Sequence, residues 1–109
     1  MDKTKDEILA YYAGLDVDTL DKKRDIKILE LRDCLHKLNK FKDDLLCLKH
    51  AKRKELIGLQ HSLSKVDQLL QGDDELFKLK RLVLEYQGVR DKIKLELSII
   101  ESYFWKAKA

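Results

Sequence analysis

Ile28-Leu29-Glu30-Leu31-Arg32-Asp33-Cys34-Leu35-His36-Lys37-Leu38 opens the stretch on which the fold turns. Counting from its first residue, Ile28, Leu31, Leu35, Leu38, Lys42, Leu45, Lys49, Lys52, Leu56, Leu59, Leu63, Val66 and Leu70 follow one another at alternating spacings of three and four. That is the seam of a coiled-coil-like helix, about six heptads long, and burying it against another helix is what stabilises such a segment. No proline interrupts it, and its interior glycine, Gly58, costs about 1 kcal/mol against alanine without having to break it. The spacing predicts one helix over residues 19–71, roughly 75–80 Å long at about 1.5 Å per residue, and therefore an elongated molecule.

On the amino-terminal side, Thr4 and Glu7 have the spacing of a capping box. Ile8, Leu9, Tyr11 and Tyr12 then give a short apolar face, and Gly14 is placed to end the helix in a left-handed cap, so a helix over 4–13 is expected. Asp16 or Asp18 can cap the next helix, whose positive end suits the acidic residues there. Downstream, Gly72-Asp73-Asp74 punctuates the pattern, and a helix over 74–106 repeats the seam with Leu76, Leu79, Val83, Tyr86, Arg90, Ile93, Leu97, Ile100 and Phe104. A tight turn at 72–74 makes the two long helices antiparallel neighbours, with the last helix ending beside residues 38–42 and Phe104 reaching Phe41. The expected fold is a single all-α domain over 1–109, an elongated antiparallel helical hairpin with a short amino-terminal helix.

This register leaves residues 19–36 beyond the hairpin. An overhang carrying Leu20, Ile28, Leu31, Leu35 and Leu38, with Tyr12 as partial cover, is an apolar surface of the kind soluble monomers avoid. These six residues are therefore the candidate dimer or partner interface, and self-association as a homodimer completes the bundle.

Composition narrows the function classes. Hydrophobic residues make up 44% and charged ones 39% of 109 residues, which suits a narrow core under a large solvated surface. Lys and Arg exceed Asp and Glu by three, yet residues 36–54 hold seven cations against two anions. Lys37, Lys40, Lys42, Lys49, His50, Lys52, Arg53 and Lys54 form this basic surface. Three of them, Lys42, Lys49 and Lys52, occupy seam positions, where a lysine tunes register and lays its aliphatic stem along the core. The carboxyl-terminal Tyr103, Phe104 and Trp105, followed by lysines, close the bundle's end or offer a binding cluster.

Cys34 and Cys47 lie roughly 20 Å apart along one predicted helix and cannot bond within a chain, which fits a reducing compartment. Cys47 and His50 are one turn apart, too few ligands for zinc, and His36, His50 and His61 map to outward positions. Met1-Asp2-Lys3-Thr4-Lys5-Asp6-Glu7 lacks a signal peptide's apolar core, and no run is long and apolar enough to span a bilayer. No phosphate loop, serine elbow or paired Glu-x-x-His pattern is present, so no catalysis, cofactor, metal or small-molecule substrate is expected. The expected role is that of an intracellular, soluble, non-catalytic interaction module: a scaffold, adaptor or chaperone subunit, partnered by its own copy or another protein. The alternative is a nucleic-acid-associated helical protein using residues 37–54, although a plain basic helix supplies phosphate affinity without base readout.

Overall fold

The computed structural model describes residues 4–109, so the sequence expectation for Met1-Asp2-Lys3 lies outside the described residues. The described chain is an all-α helical hairpin of four helices: α1 (Lys5–Ala13), α2 (Val17–Gly58), α3 (Leu63–Gln71) and α4 (Asp74–Lys108). Contacts group it into two compact units, the first made of Met1–Leu35 with Val89–Ala109 and the second of His36–Gly88. Helices α2 and α4 contribute to both.

In the first unit, the capping box forms as its spacing predicts. The Glu7 amide donates to Thr4 Oγ1 at 3.3 Å and the Thr4 amide to Glu7 Oε2 at 3.4 Å. Gly14 ends α1 at φ −91°, so no left-handed residue is needed there. Asp16 caps α2 by accepting the Thr19 amide at 3.0 Å. A hydrogen bond from the Thr19 side chain, followed by that from its amide, holds the Asp16 carboxyl below the ordinary carboxylate range. The short Gly14–Asp16 link lets α1 fold onto α2 and α4, where Tyr12, Leu20, Ile99, Ile100 and Phe104 form a buried cluster. Ile8, Leu9, Leu15, Val17 and Tyr103 pack around it. Each fully buried aliphatic side chain there stabilises the unit by about 1.5–3 kcal/mol.

The second unit corrects the expected position of the turn. Helix α2 stops at Gly58 rather than 71, and the chain reverses across residues 59–62. The Gln60 amide donates to the Ile57 carbonyl at 2.9 Å and the His61 amide to the Leu56 carbonyl at 3.4 Å, with Gln60 at φ 65°. This hydrogen-bond pair and left-handed residue make a Schellman cap, in which glycine is the usual occupant. Ser62 then starts α3 by accepting the Lys65 amide at 3.3 Å. Gly72-Asp73 is a real helix boundary but not the reversal: Asp73 accepts the Leu76 amide at 3.0 Å and α4 follows α3 along the same helix, α2. The partners show the order, with Asp67 beside Arg53, Asp73 beside Lys52 and Tyr86 beside Phe41. Val66, Leu70 and Leu76 are buried together, with Leu45, Leu48 and Leu56 of α2 packed against them.

Moving the turn moves the register. Phe104 is packed with Leu20 and lies under the Arg24 guanidinium at 4.4 Å, not beside Phe41, whose ring is 5.2 Å from that of Tyr86. The overhang expected over residues 19–36 does not exist, because Leu20 is only 1% exposed and Cys34 is buried as well.

Candidate functional site

Every position of the α4 seam, from Leu76 to Phe104, is buried or half-buried. The α2 seam is covered less evenly. Leu31, Leu35, Lys42, Leu45, Lys52 and Leu56 are half-buried and Leu38 is buried, whereas Lys49 is exposed. Among the six interface candidates, Leu20, Leu38 and Tyr12 are buried inside the chain, and Ile28 is at the edge of exposure. Tyr12, Leu20 and Leu38 are therefore taken up within the chain's own packing, while Leu31 and Leu35 stay half-buried.

Tyr12 has a different task within the first unit. Its hydroxyl donates to Glu96 Oε2 at 3.1 Å, and Lys27 bridges the same Glu96 oxygen at 3.2 Å and Glu30 at 3.0 Å. Burial, helped by the hydrogen bond to Glu96, pushes the Tyr12 phenol well above its ordinary range. Burial draws the Lys27 ammonium down, but its bonds to Glu30 and Glu96 prevail and leave it raised. With Ile8, Tyr11, Lys23 and Ile26 these groups line a groove of about 320 Å³, in which Lys27, Glu30 and Glu96 pair with one another and Lys23 lies over the Tyr11 ring at 5.3 Å.

The basic surface divides along α2. Lys52 turns to Asp73 at 2.8 Å and to Glu75 at 3.5 Å, and tethers the start of α4. Lys37, Lys40, His50 and Lys54 are exposed at other positions around the helix. Lys49 and Arg53, one turn apart, line a groove of about 250 Å³ with Asp67, Leu70 and Gln71 of α3 and Leu76 and Lys80 of α4. Arg53 meets Asp67 at 3.8 Å, side chains 44% and 59% exposed, a contact too open to contribute much. Among the described residues neither Lys49 nor Lys80 has an ion-pair partner.

Lys80 escaped the sequence reading, as did the apolar residues beside it. Leu46, Lys49, Arg53 and Ile57 lie at i, i+3, i+7 and i+11 on one side of α2, while Phe77, Lys80 and Leu84 lie at i, i+3 and i+7 on one side of α4. Lys49, Arg53 and Lys80 line the same groove, and Leu46, Ile57, Phe77 and Leu84 each stand one turn along the helix from one of them, outside its lining. Leu46, Phe77 and Leu84 are 66%, 61% and 67% exposed, and Ile57 is 47% exposed. Both rows stand off the main seams and were legible as second apolar lines, but only the register brings them together.

At the carboxyl terminus, Phe104 is buried, Tyr103 half-buried and Trp105 60% exposed. Lys108 lies over the Phe104 ring at 4.7 Å and the Trp105 ring at 5.7 Å, and Lys106 over Tyr103 at 5.6 Å. Phe104 thus closes the first unit's core, while Trp105 stays open to water beside Lys108. Cys34 is buried and Cys47 exposed, and neither is in a disulfide. Among the described residues no three His, Cys, Asp or Glu side chains gather as metal ligands, and no helix is long and apolar enough to cross a membrane. Comparison with protein-family models, curated proteins and solved structures finds no match to the chain.

Proposed function

We propose that this protein is a non-catalytic interaction module, a scaffold or adaptor, that binds another protein through the flanks of the Lys49–Arg53–Lys80 groove. The observation carrying this reading is the exposure of Leu46, Phe77 and Leu84, each above 60%, in two rows on facing helices. Large side chains left in water in an ordered array are costly unless something covers them in use. Nucleic-acid binding is the second reading, favoured by the convergence of three cations on one groove. The apolar rows weigh against it, because leucine and phenylalanine gain nothing from a phosphate backbone.

Site-specific photo-crosslinking in expressing cells tests the proposal. A photoreactive residue at Leu46 or Leu84 should yield discrete heavier adducts. The same residue at Lys37, nine positions from Leu46 and on the opposite side of α2, should not. Adduct mass separates a second copy, twice 12.9 kDa, from a different protein. Equal labelling at the three positions, or none, would overturn the reading.

A further inference from the structure

We propose that the occupant of this face is an acidic amphipathic helix of a partner protein, lying along the groove that α2 makes with the successive helices α3 and α4. The inference rests on the interaction reading above and adds the chemistry of the partner.

Three features of the second unit specify that chemistry. A groove between two antiparallel helices is concave along its length, and a third helix of roughly 10 Å diameter is the element that fills such a groove while keeping its own backbone hydrogen bonds satisfied. Its flanks offer Leu46, Phe77 and Leu84, spaced as a partner helix with an apolar stripe requires. Finally, the cations along its edges are largely unspent: Lys49 and Lys80 have no carboxylate partner, and Arg53 has only the distant, exposed Asp67. Neither row contains an Asp or Glu. Lys49 and Arg53 stand at i and i+4, so carboxylates one turn apart on the incoming helix meet both at once.

In the first unit the corresponding role belongs to the chain's own α1, which lays Ile8, Leu9 and Tyr12 against α2 and α4. The second unit has the two long helices and α3 but no counterpart of α1 over Leu46 and Leu84. A flat anionic surface would reach the lysines but not fill the concavity, and a duplex would leave the apolar flanks in water.

The test uses the full chain and a labelled designed helix of about 21 residues, with Leu at its a and d positions and Glu at e and g, against a counterpart with Lys for Glu. Fluorescence anisotropy should show the Glu peptide binding about tenfold or more tightly than the Lys peptide. The K49E/R53E/K80E variant, its helicity checked by circular dichroism, should invert that preference. The L46S/L84S variant should weaken binding of the Glu peptide while keeping its preference over the Lys peptide. Equal binding of the two peptides, a preference that survives charge reversal, or tighter binding of random duplex DNA or phosphatidylserine vesicles than of the Glu peptide would overturn the inference. If crosslinks at Leu46 and Leu84 still exceed those at Lys37, the interaction reading stands while the acidic-helix partner falls. If those crosslinks vanish as well, both fall.

Discussion

The two units are built from the same pair of helices and differ in what lies on top of them. In the first, α1 supplies a third layer, and Leu20, Ile100 and Phe104 beneath it are 1%, 0% and 3% exposed. In the second, α3 covers part of α2, and beyond it Leu46, Phe77 and Leu84 remain in water. Charge divides the same way. The first unit carries twelve Lys and Arg against twelve Asp and Glu, the second eleven against eight with all three histidines. The first unit balances its charge internally, although Ile26, Leu29 and Trp105 are still 54%, 57% and 60% exposed. An open unit with surplus cations beside exposed leucines is where a partner gains most by binding.

The comparison breaks most sharply through the core. Ile100→Ala should cost about 2–5 kcal/mol, because the side chain is fully enclosed and a cavity remains. Leu84→Ala, an equally drastic truncation on an exposed side chain, should change stability by no more than about 0.5 kcal/mol. Urea unfolding of both variants checks this. A Leu84 effect matching that of Ile100 would mean that the second unit's outer face is already covered.

Polar closure of the first unit gives the next effect. Glu96→Ala removes the acceptor shared by Tyr12 and Lys27 and leaves a phenol on a buried residue without its partner. A loss of about 1–2 kcal/mol is expected, since Lys27 keeps Glu30. Glu96→Gln should lose less, because an amide oxygen still accepts from Tyr12.

How much of this was written in the sequence depends on the kind of signal. The capping box at Thr4, the helix boundary at Gly72-Asp73-Asp74, the all-α class and the α4 seam are local patterns read within a turn or two, and they hold. The turn failed because its chemistry is unconventional. A Schellman cap normally advertises itself by glycine at the left-handed position, but here glycine is two residues early, at Gly58, and Gln60 takes the strained conformation. The heptad count runs unbroken through Leu59 and Leu63, both 63% exposed, so periodicity concealed the reversal. Ser62, an N-cap residue four positions after a glycine, was the available clue. Two long-range expectations then inherited the error, the overhang and the Phe41–Phe104 contact. The basic segment was legible as composition, whereas the groove needed Lys80 from another helix.

The left-handed Gln60 is also the place for a stabilising variant. Gln60→Gly relieves the left-handed strain at φ 65°, and should raise stability by about 0.5–1 kcal/mol despite the added freedom of the unfolded chain. A rise in the melting temperature checks the turn. A fall would show that the Gln60 side chain contributes more than its backbone costs.

The smallest expected effect is in the second unit's own ion pair, where Lys52 ties Asp73 to α2. The hydrogen bond from Lys52, followed by the Leu76 amide, holds the Asp73 carboxyl below its ordinary 3.8. A depressed carboxylate contributes stability above the unfolded value and loses it as pH falls through the folded one. The hydrogen bond to Asp73 outweighs burial and holds the Lys52 ammonium above its ordinary 10.5. That contribution is present below the unfolded value and lost as pH rises through the folded one. Asp73→Asn keeps an oxygen for the Leu76 amide but removes the charge, and every other titrating group is common to both proteins. The stability advantage of the native chain over this variant should therefore be flat around about pH 7, shrink below about pH 4 and shrink again above about pH 10. Salt should reduce it as well, since screening acts within about 3 Å at 1 M and both side chains are within reach of water. A difference that persists unchanged into acid and high salt would assign the Asp73 contribution to the helix cap alone, leaving α4 anchored by its apolar seam.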